Sequence, residues 1–167
     1  MIECKKFYGK YRGRVAESVD PMGLGRLLVE VPDVSGVALT SWALPSLPIG
    51  GPQTGLFSIP PVGSGVWVEF EQGDLDYPIW VGTFWGSALE VPALSHALPP
   101  GVPGIVMQTP GQNGLVMSDL TGILIKSATG AAILINEAGI LLQTGKGASI
   151  ALAGSSVVIN QGALTVL

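Results

Sequence analysis

Two patterns of apolar residues divide this chain. Up to about residue 87, apolar positions alternate loosely in runs of four to eight, rich in β-branched and aromatic residues and broken by glycine and proline. These runs predict strands at Phe7 to Val19, Gly25 to Val31, Val37 to Leu44, Val66 to Phe70 and Tyr77 to Trp85. Tyr8, Val15 and Val19 are the expected core positions of the first. Gln72 to Asp76 reads as a turn, and no segment has a helical period. Five short strands joined by Gly/Pro loops predict a small, closed or nearly closed barrel.

From residue 104 the pattern changes. Eight apolar triplets recur, beginning at Ile105, Leu115, Ile123, Ile133, Ile140, Ile150, Val157 and Leu164, with starts spaced 10, 8, 10, 7, 10, 7 and 7 residues apart. Glycines fall between them, so the unit is a short strand followed by a corner. Side chains alternate across a strand, so the first and third residues of each triplet share a face. Those positions are Ile105, Met107, Leu115, Met117, Ile123, Ile125, Ile133, Ile135, Ile140, Leu142, Ile150, Leu152, Val157, Ile159, Leu164 and Val166, all large and apolar. The residue after each triplet is usually polar: Gln108, Ser118, Lys126, Asn136, Gln143 and Asn160. The middle positions, Leu124, Leu134 and Leu141 among them, are mostly apolar too.

A lone copy of such a tail has no second layer to cover that stripe. The expectation is a homotrimer: a triangular, intertwined β-helix in which the sixteen residues face a shared axis and each strand pairs with strands of the other two chains. The domain plan is then an OB-like barrel at 1–87, a Pro-rich linker at 88–103 and a trimeric β-helix at 104–167.

Composition sharpens the plan. All aromatics lie between Phe7 and Trp85 and all prolines between Pro21 and Pro110, so the tail has neither beyond that point. Of 167 residues only 12% are charged, against about 25% in an ordinary soluble domain. That fits a surface shared between subunits. Net charge is −4, with 6 basic and 3 acidic side chains in residues 1–26 and 2 basic and 9 acidic in the rest. An acidic body speaks against binding a phosphate backbone. No apolar run reaches the ~20 residues of a membrane-spanning helix, and no apolar core follows the basic N-terminal stretch, so synthesis in the cytoplasm is expected.

Candidate chemistry is sparse. Glu69, Glu71, Asp74 and Asp76 lack the ordered ligand spacing of a calcium loop. Ser95-His96 holds the chain's single histidine, without a triad around it. Gly145-Lys146-Gly147 lacks the rest of a phosphate loop. Cys4 is alone. No catalytic residue, metal or cofactor is expected. Trp67, Trp80 and Trp85 could build an aromatic platform of the kind OB barrels use for oligonucleotides or saccharides, which is the alternative reading.

The barrel region resembles a known family. The likeness is carried by Arg12-Gly-Arg-Val15, Asp20-Pro21, Gly25-Arg26, Pro32, Trp42, Pro60-Pro61-Val62-Gly63, the run VWVEFEQGD and Tyr77-Pro78-Ile79-Trp80-Val81-Gly82. Their order resembles the OB-like domain of the phage baseplate spike proteins (baseplate assembly protein V) and the related VgrG spikes of type VI secretion. The glycine-punctuated tail is similar to their β-helix. The resemblance implies a non-enzymatic spike at the end of a contractile tail or injection system, driven through an envelope by sheath contraction. It implies a separate hub protein at the OB end and transient contact with the target membrane. It also implies a PAAR-like tip protein seated on Leu164, Val166 and Leu167, and residence in a virion or secreted particle.

Overall fold

The computed structural model describes residues 5–34 and 41–166. The chain splits between Glu90 and Val91 into two compact units. Both are built of strands, and among the described residues the only helical pieces are 3-10 turns.

The first unit is a five-stranded sheet in the order β2-β1-β6-β7-β3. Its strands are β1 (Tyr11–Glu17), β2 (Leu28–Glu30), β3 (Leu44–Pro45), β6 (Gly65–Phe70) and β7 (Pro78–Phe84). A separate small ribbon, β4 (Gly50–Gly51) with β5 (Thr54–Gly55), lies in the connection from β3 to β6. β3 pairs parallel to β7, and the other neighbours in the sheet are antiparallel. Leu27 and Ala43 exchange backbone hydrogen bonds of 3.1 and 2.8 Å just before β2 and β3, which ties the two edges of the sheet together and closes the barrel.

Inside lie Phe7, Val15, Leu27, Val29, Val31, Ala43, Val66, Val68, Phe70 and Trp80. The strict alternation of β6, buried at Val66, Val68 and Phe70, is the sequence pattern realised. Two expected core members of the first run are outside it. Tyr8 is 70% and Val19 77% exposed. Phe7 has the same parity as the buried Gly13 and Val15, so simple alternation carries it into the core and turns Tyr8 out. After Glu17 the chain leaves the sheet: the Glu17 carboxylate accepts from the Ser18 and Val19 amides, both at 2.8 Å. Of the expected strand from Val37 to Leu44, residues 37–40 lie outside the described residues.

The second unit is one eight-stranded sheet running β8 to β15 in sequence order. The strands are β8 (Ile105–Gln108), β9 (Gly114–Ser118), β10 (Gly122–Lys126), β11 (Ala132–Asn136), β12 (Gly139–Gln143), β13 (Ser149–Ala153), β14 (Ser156–Ile159) and β15 (Leu164–Val166). Each pairs antiparallel with its sequence neighbours. This corrects the expected pairing. Strands take their hydrogen bonds from the same chain, not from other copies, because tight turns return each strand beside its predecessor.

The turns differ between the two edges. On one edge the β8–β9, β10–β11 and β12–β13 turns share a five-residue form, closed by Thr109 N to Asn113 O at 2.9 Å, Ser127 N to Ala131 O at 2.8 Å and Thr144 N to Ala148 O at 3.0 Å. On the other edge the β9–β10, β11–β12 and β13–β14 connections are only two or three residues long. Glycine makes that short-turn edge possible. Gly122 and Gly139, at φ 80° and 133°, open β10 and β12, and a Cβ at either would collide with the carbonyl of Ile135 or Leu152 on the next strand of the sheet.

Candidate functional site

The most distinctive surface is one face of the second unit. The registers align the sixteen first- and third-position residues in two parallel ladders. One runs Ile105, Met117, Ile123, Ile135, Ile140, Leu152, Val157, Val166; the other runs Met107, Leu115, Ile125, Ile133, Leu142, Ile150, Ile159, Leu164. Twelve of the sixteen are between 37% and 55% exposed in the single chain, and the other four are half-buried. No polar residue interrupts either ladder. A continuous apolar face of this size on a thin sheet is a surface that soluble proteins cover.

The opposite face carries one central ladder, Val106, Val116, Leu124, Leu134, Leu141, Ala151 and Val158. Its flanks include Gln108, Lys126, Gln143 and Ser149, so this face is mixed rather than uniformly apolar. Part of it is covered locally. The 3-10 turn Ala93–Ala97 packs on β8 and β9, with the Leu94 amide donating to Gln108 Oε1 at 2.8 Å, and Val116 is 2% exposed. His96 sits on that turn, and Ser95 accepts the Leu98 amide through its backbone carbonyl at 3.1 Å. Gly145-Lys146-Gly147 is a hairpin corner followed by β13, not by a helix. Of the tip residues named above, Leu164 and Val166 lie on β15 at the end of the sheet order, while Leu167 is outside the described residues.

The three tryptophans do not form a platform. Val68 pairs with Trp80 across β6 and β7, so both point inward. Trp80 is 6% exposed, and its Nε1 donates to Gly25 O at 3.1 Å. Trp67 lies outward, against Phe84 at 4.9 Å, with the Arg12 guanidinium 5.2 Å from its ring. Trp85 is 63% exposed. Two acids of the acidic run make surface pairs: Glu69 accepts from Lys10 Nζ at 2.7 Å, and Asp74 lies 3.9 Å from Lys6. Among the described residues no three His, Cys, Asp or Glu side chains are grouped to hold a metal.

One polar cluster went unread in the sequence. The Asp20 carboxylate accepts from the Met22, Leu24 and Arg26 amides at 3.0, 2.8 and 3.2 Å, and from Arg26 Nε and Nη2 at 3.0 and 2.6 Å. The Arg26 guanidinium in turn lies 5.5 Å from the Trp42 ring. The Arg26 side chain, and then the loop amides, hold the Asp20 carboxyl well below the usual carboxylate range. Asp20 thus fixes the β1–β2 loop, and Gly25 within it receives Trp80. The signal was present as Asp20-Pro21 and Gly25-Arg26, but sequence spacing does not say that one side chain gathers the whole loop.

Comparison with known families matches both units. The type VI secretion system/phage-baseplate injector OB domain matches residues 11–85. The phage baseplate V C-terminal trimerisation domain matches residues 104–165, the span of the laddered sheet. Comparison with curated proteins gives no match. The two matches follow one another as an OB domain and a trimerisation domain and together span most of the chain, which belongs to the phage baseplate V family of phage-baseplate and type VI secretion injector proteins.

Proposed function

We propose that three copies of this chain form the central spike of a contractile baseplate, with the two Ile/Leu ladders of each sheet meeting on a common axis. The family gives a structural role in a baseplate. The observation that carries the finer reading is the uncovered sixteen-residue face. Three sheets standing as the sides of a triangular prism would bury it completely. Each exposed ladder residue would lose roughly 70 Å² of apolar surface, about 1.8 kcal/mol, so twelve of them supply on the order of 20 kcal/mol per chain. That exceeds the ~4–15 kcal/mol cost of giving up free translation and rotation.

Mechanically, such a stem is a stack of eight strands at ~4.8 Å spacing, about 35 Å tall. Backbone hydrogen bonds run along its axis, so axial load is carried by the β ladder. Sheath contraction would drive this stem through the target envelope. The half-buried Leu124, Leu134 and Leu141 on the outer face would then meet lipid with a smaller desolvation penalty than charged residues. A separate hub protein would hold the barrel end. A PAAR-like tip protein would pair with β15, whose outer edge has no strand beside it among the described residues.

The test is made on assembled particles. Deleting the chain should leave baseplates that neither carry a three-fold stem in electron micrographs nor inject. Replacing Leu124, Leu134 and Leu141 together with lysine should preserve the stem and reduce penetration. Particles that inject normally without the chain would refute the spike reading.

A further inference from the structure

The charges of the second unit are sorted by edge. From Val91 onward the chain has four Asp, Glu, Lys or Arg residues: Asp119, Lys126, Glu137 and Lys146. Lys126 ends β10 on the long-turn edge, and Lys146 lies in the β12–β13 turn of that same edge. Asp119 lies in the β9–β10 turn and Glu137 in the β11–β12 turn, both on the short-turn edge. All the ion pairs found among the described residues are in the first unit, so none of these four is paired within its own chain. It could hardly be otherwise, because a five-residue strand holds the two edges ~13–17 Å apart.

Three-fold closure removes that separation. A ring built on a single rotation axis uses contacts between unlike surfaces, so every corner of the prism joins the long-turn edge of one copy to the short-turn edge of the next. The heights also agree. Counting each strand as a step of ~4.8 Å, Asp119 and Glu137 stand two steps apart. Each lysine stands about half a step to one step beyond its acid, within the reach of a lysine side chain. The long-turn edge is also shaped to receive something. An open groove of about 600 Å³ runs beside it, walled by Ile125, Ile133, Leu142, Ile150 and Ile159 and rimmed by the turns at 127–131 and 144–148. The apolar ladder nearest the short-turn edge, Ile123 to Leu152, offers side chains of the size that would fill it.

We infer that each corner of the trimer is a second-copy docking site. The short-turn edge of one chain seats in the long-turn groove of its neighbour, and Lys126–Asp119 and Lys146–Glu137 pairs between chains set the axial register. This rests on the trimeric reading above and adds which edges meet and at what height. Mispairing by two strands would leave one lysine and one acid per corner without a partner. Meeting of like edges would place lysine against lysine.

A zero-length carbodiimide coupling of the purified full-length protein tests it. The expected products are covalent dimers and trimers on a denaturing gel, with Lys146–Glu137 and Lys126–Asp119 linked peptides in the digest. The paired substitution Asp119→Lys with Glu137→Lys should lower the melting temperature of the trimer, as should Lys126→Glu with Lys146→Glu. All four changes together should restore it. A protein that is a trimer by light scattering but yields neither linked peptide, or whose fourfold swap melts no higher than the twofold swaps, overturns the corner pairing and leaves the trimer standing. A monomer overturns both.

Discussion

Ile135→Lys and Leu134→Lys differ by one position along β11 and should have opposite consequences. Ile135 belongs to the apolar ladder, between Ile123 and Ile140, and is 39% exposed in the single chain. Leu134 points to the other face, between Leu124 and Leu141. In an unassembled chain a lysine at 135 extends its ammonium into water along its stem, so the sheet itself survives. In the trimer three such ammoniums converge on one axis. Each copy forfeits ~2 kcal/mol of isoleucine burial and meets an effective desolvation penalty of several kcal/mol for an unpaired buried charge. Summed over three copies, the trimer loses about 15 kcal/mol or more, roughly a quarter of the ~60 kcal/mol that the three ladders contribute before the cost of association is subtracted. Leu134→Lys loses only cross-strand packing, ~0.2–1 kcal/mol per neighbour. Light scattering on a gel-filtration column, with circular dichroism on the same fractions, reads both. In mild denaturant the Ile135→Lys protein should run at the mass of one chain with its β signal retained, under conditions where the parent and Leu134→Lys remain trimers. A trimeric Ile135→Lys beside a dissociated Leu134→Lys would mean that the opposite face is the inner one.

Trp80→Phe removes the donor to Gly25 O and leaves that carbonyl without its partner, which costs about 1–3 kcal/mol. The barrel transition should fall by roughly 4–8 °C per kcal/mol in thermal melts, and an unchanged melt would show that the loop does not depend on it. Asp20 titrates below its unfolded value, so its stabilising effect is complete above the ordinary carboxylate range and is lost as pH falls from about 4 towards the depressed value. Acid titration of Asp20→Asn should therefore show a lower plateau and a shallower acid limb than the parent, and parallel limbs would contradict the clamp. Gly139→Ala drives a methyl into the Leu152 carbonyl and should unpair β12 from β13, seen as faster amide exchange across residues 139–153; retained protection there would refute the close approach.

The barrel strands were readable because β6 alternates cleanly and Gly/Pro residues bound each run. What escaped was phase. Phe7, in step with Val15, enters the core in place of Tyr8, and nothing in the run Phe7 to Val19 announces that the strand starts at Tyr11. The register that buries Trp80 opposite Val68 while Trp67 faces out includes an irregularity between Trp67 and Val68, which composition does not encode. In the tail, the triplets located every strand, and their first and third positions located the face. The pairing partner was misjudged although its signature was present. The first six spacings, 10, 8, 10, 7, 10 and 7, alternate because odd and even turns lie on opposite edges of an antiparallel meander, and only the last, 7 from β14 to β15, departs from it. An averaged period of about eight conceals that alternation. The segregation of Lys126 and Lys146 from Asp119 and Glu137 follows from the same alternation and was invisible until the edges were known.

The central claim is that the laddered face is closed by two further copies of the same chain. The mass of the purified full-length protein in solution, measured by light scattering without any baseplate partner, tests it most directly. A single species at three times the 17.2 kDa chain mass, unchanged on dilution, is the predicted result. A monodisperse species at the mass of one chain would contradict it.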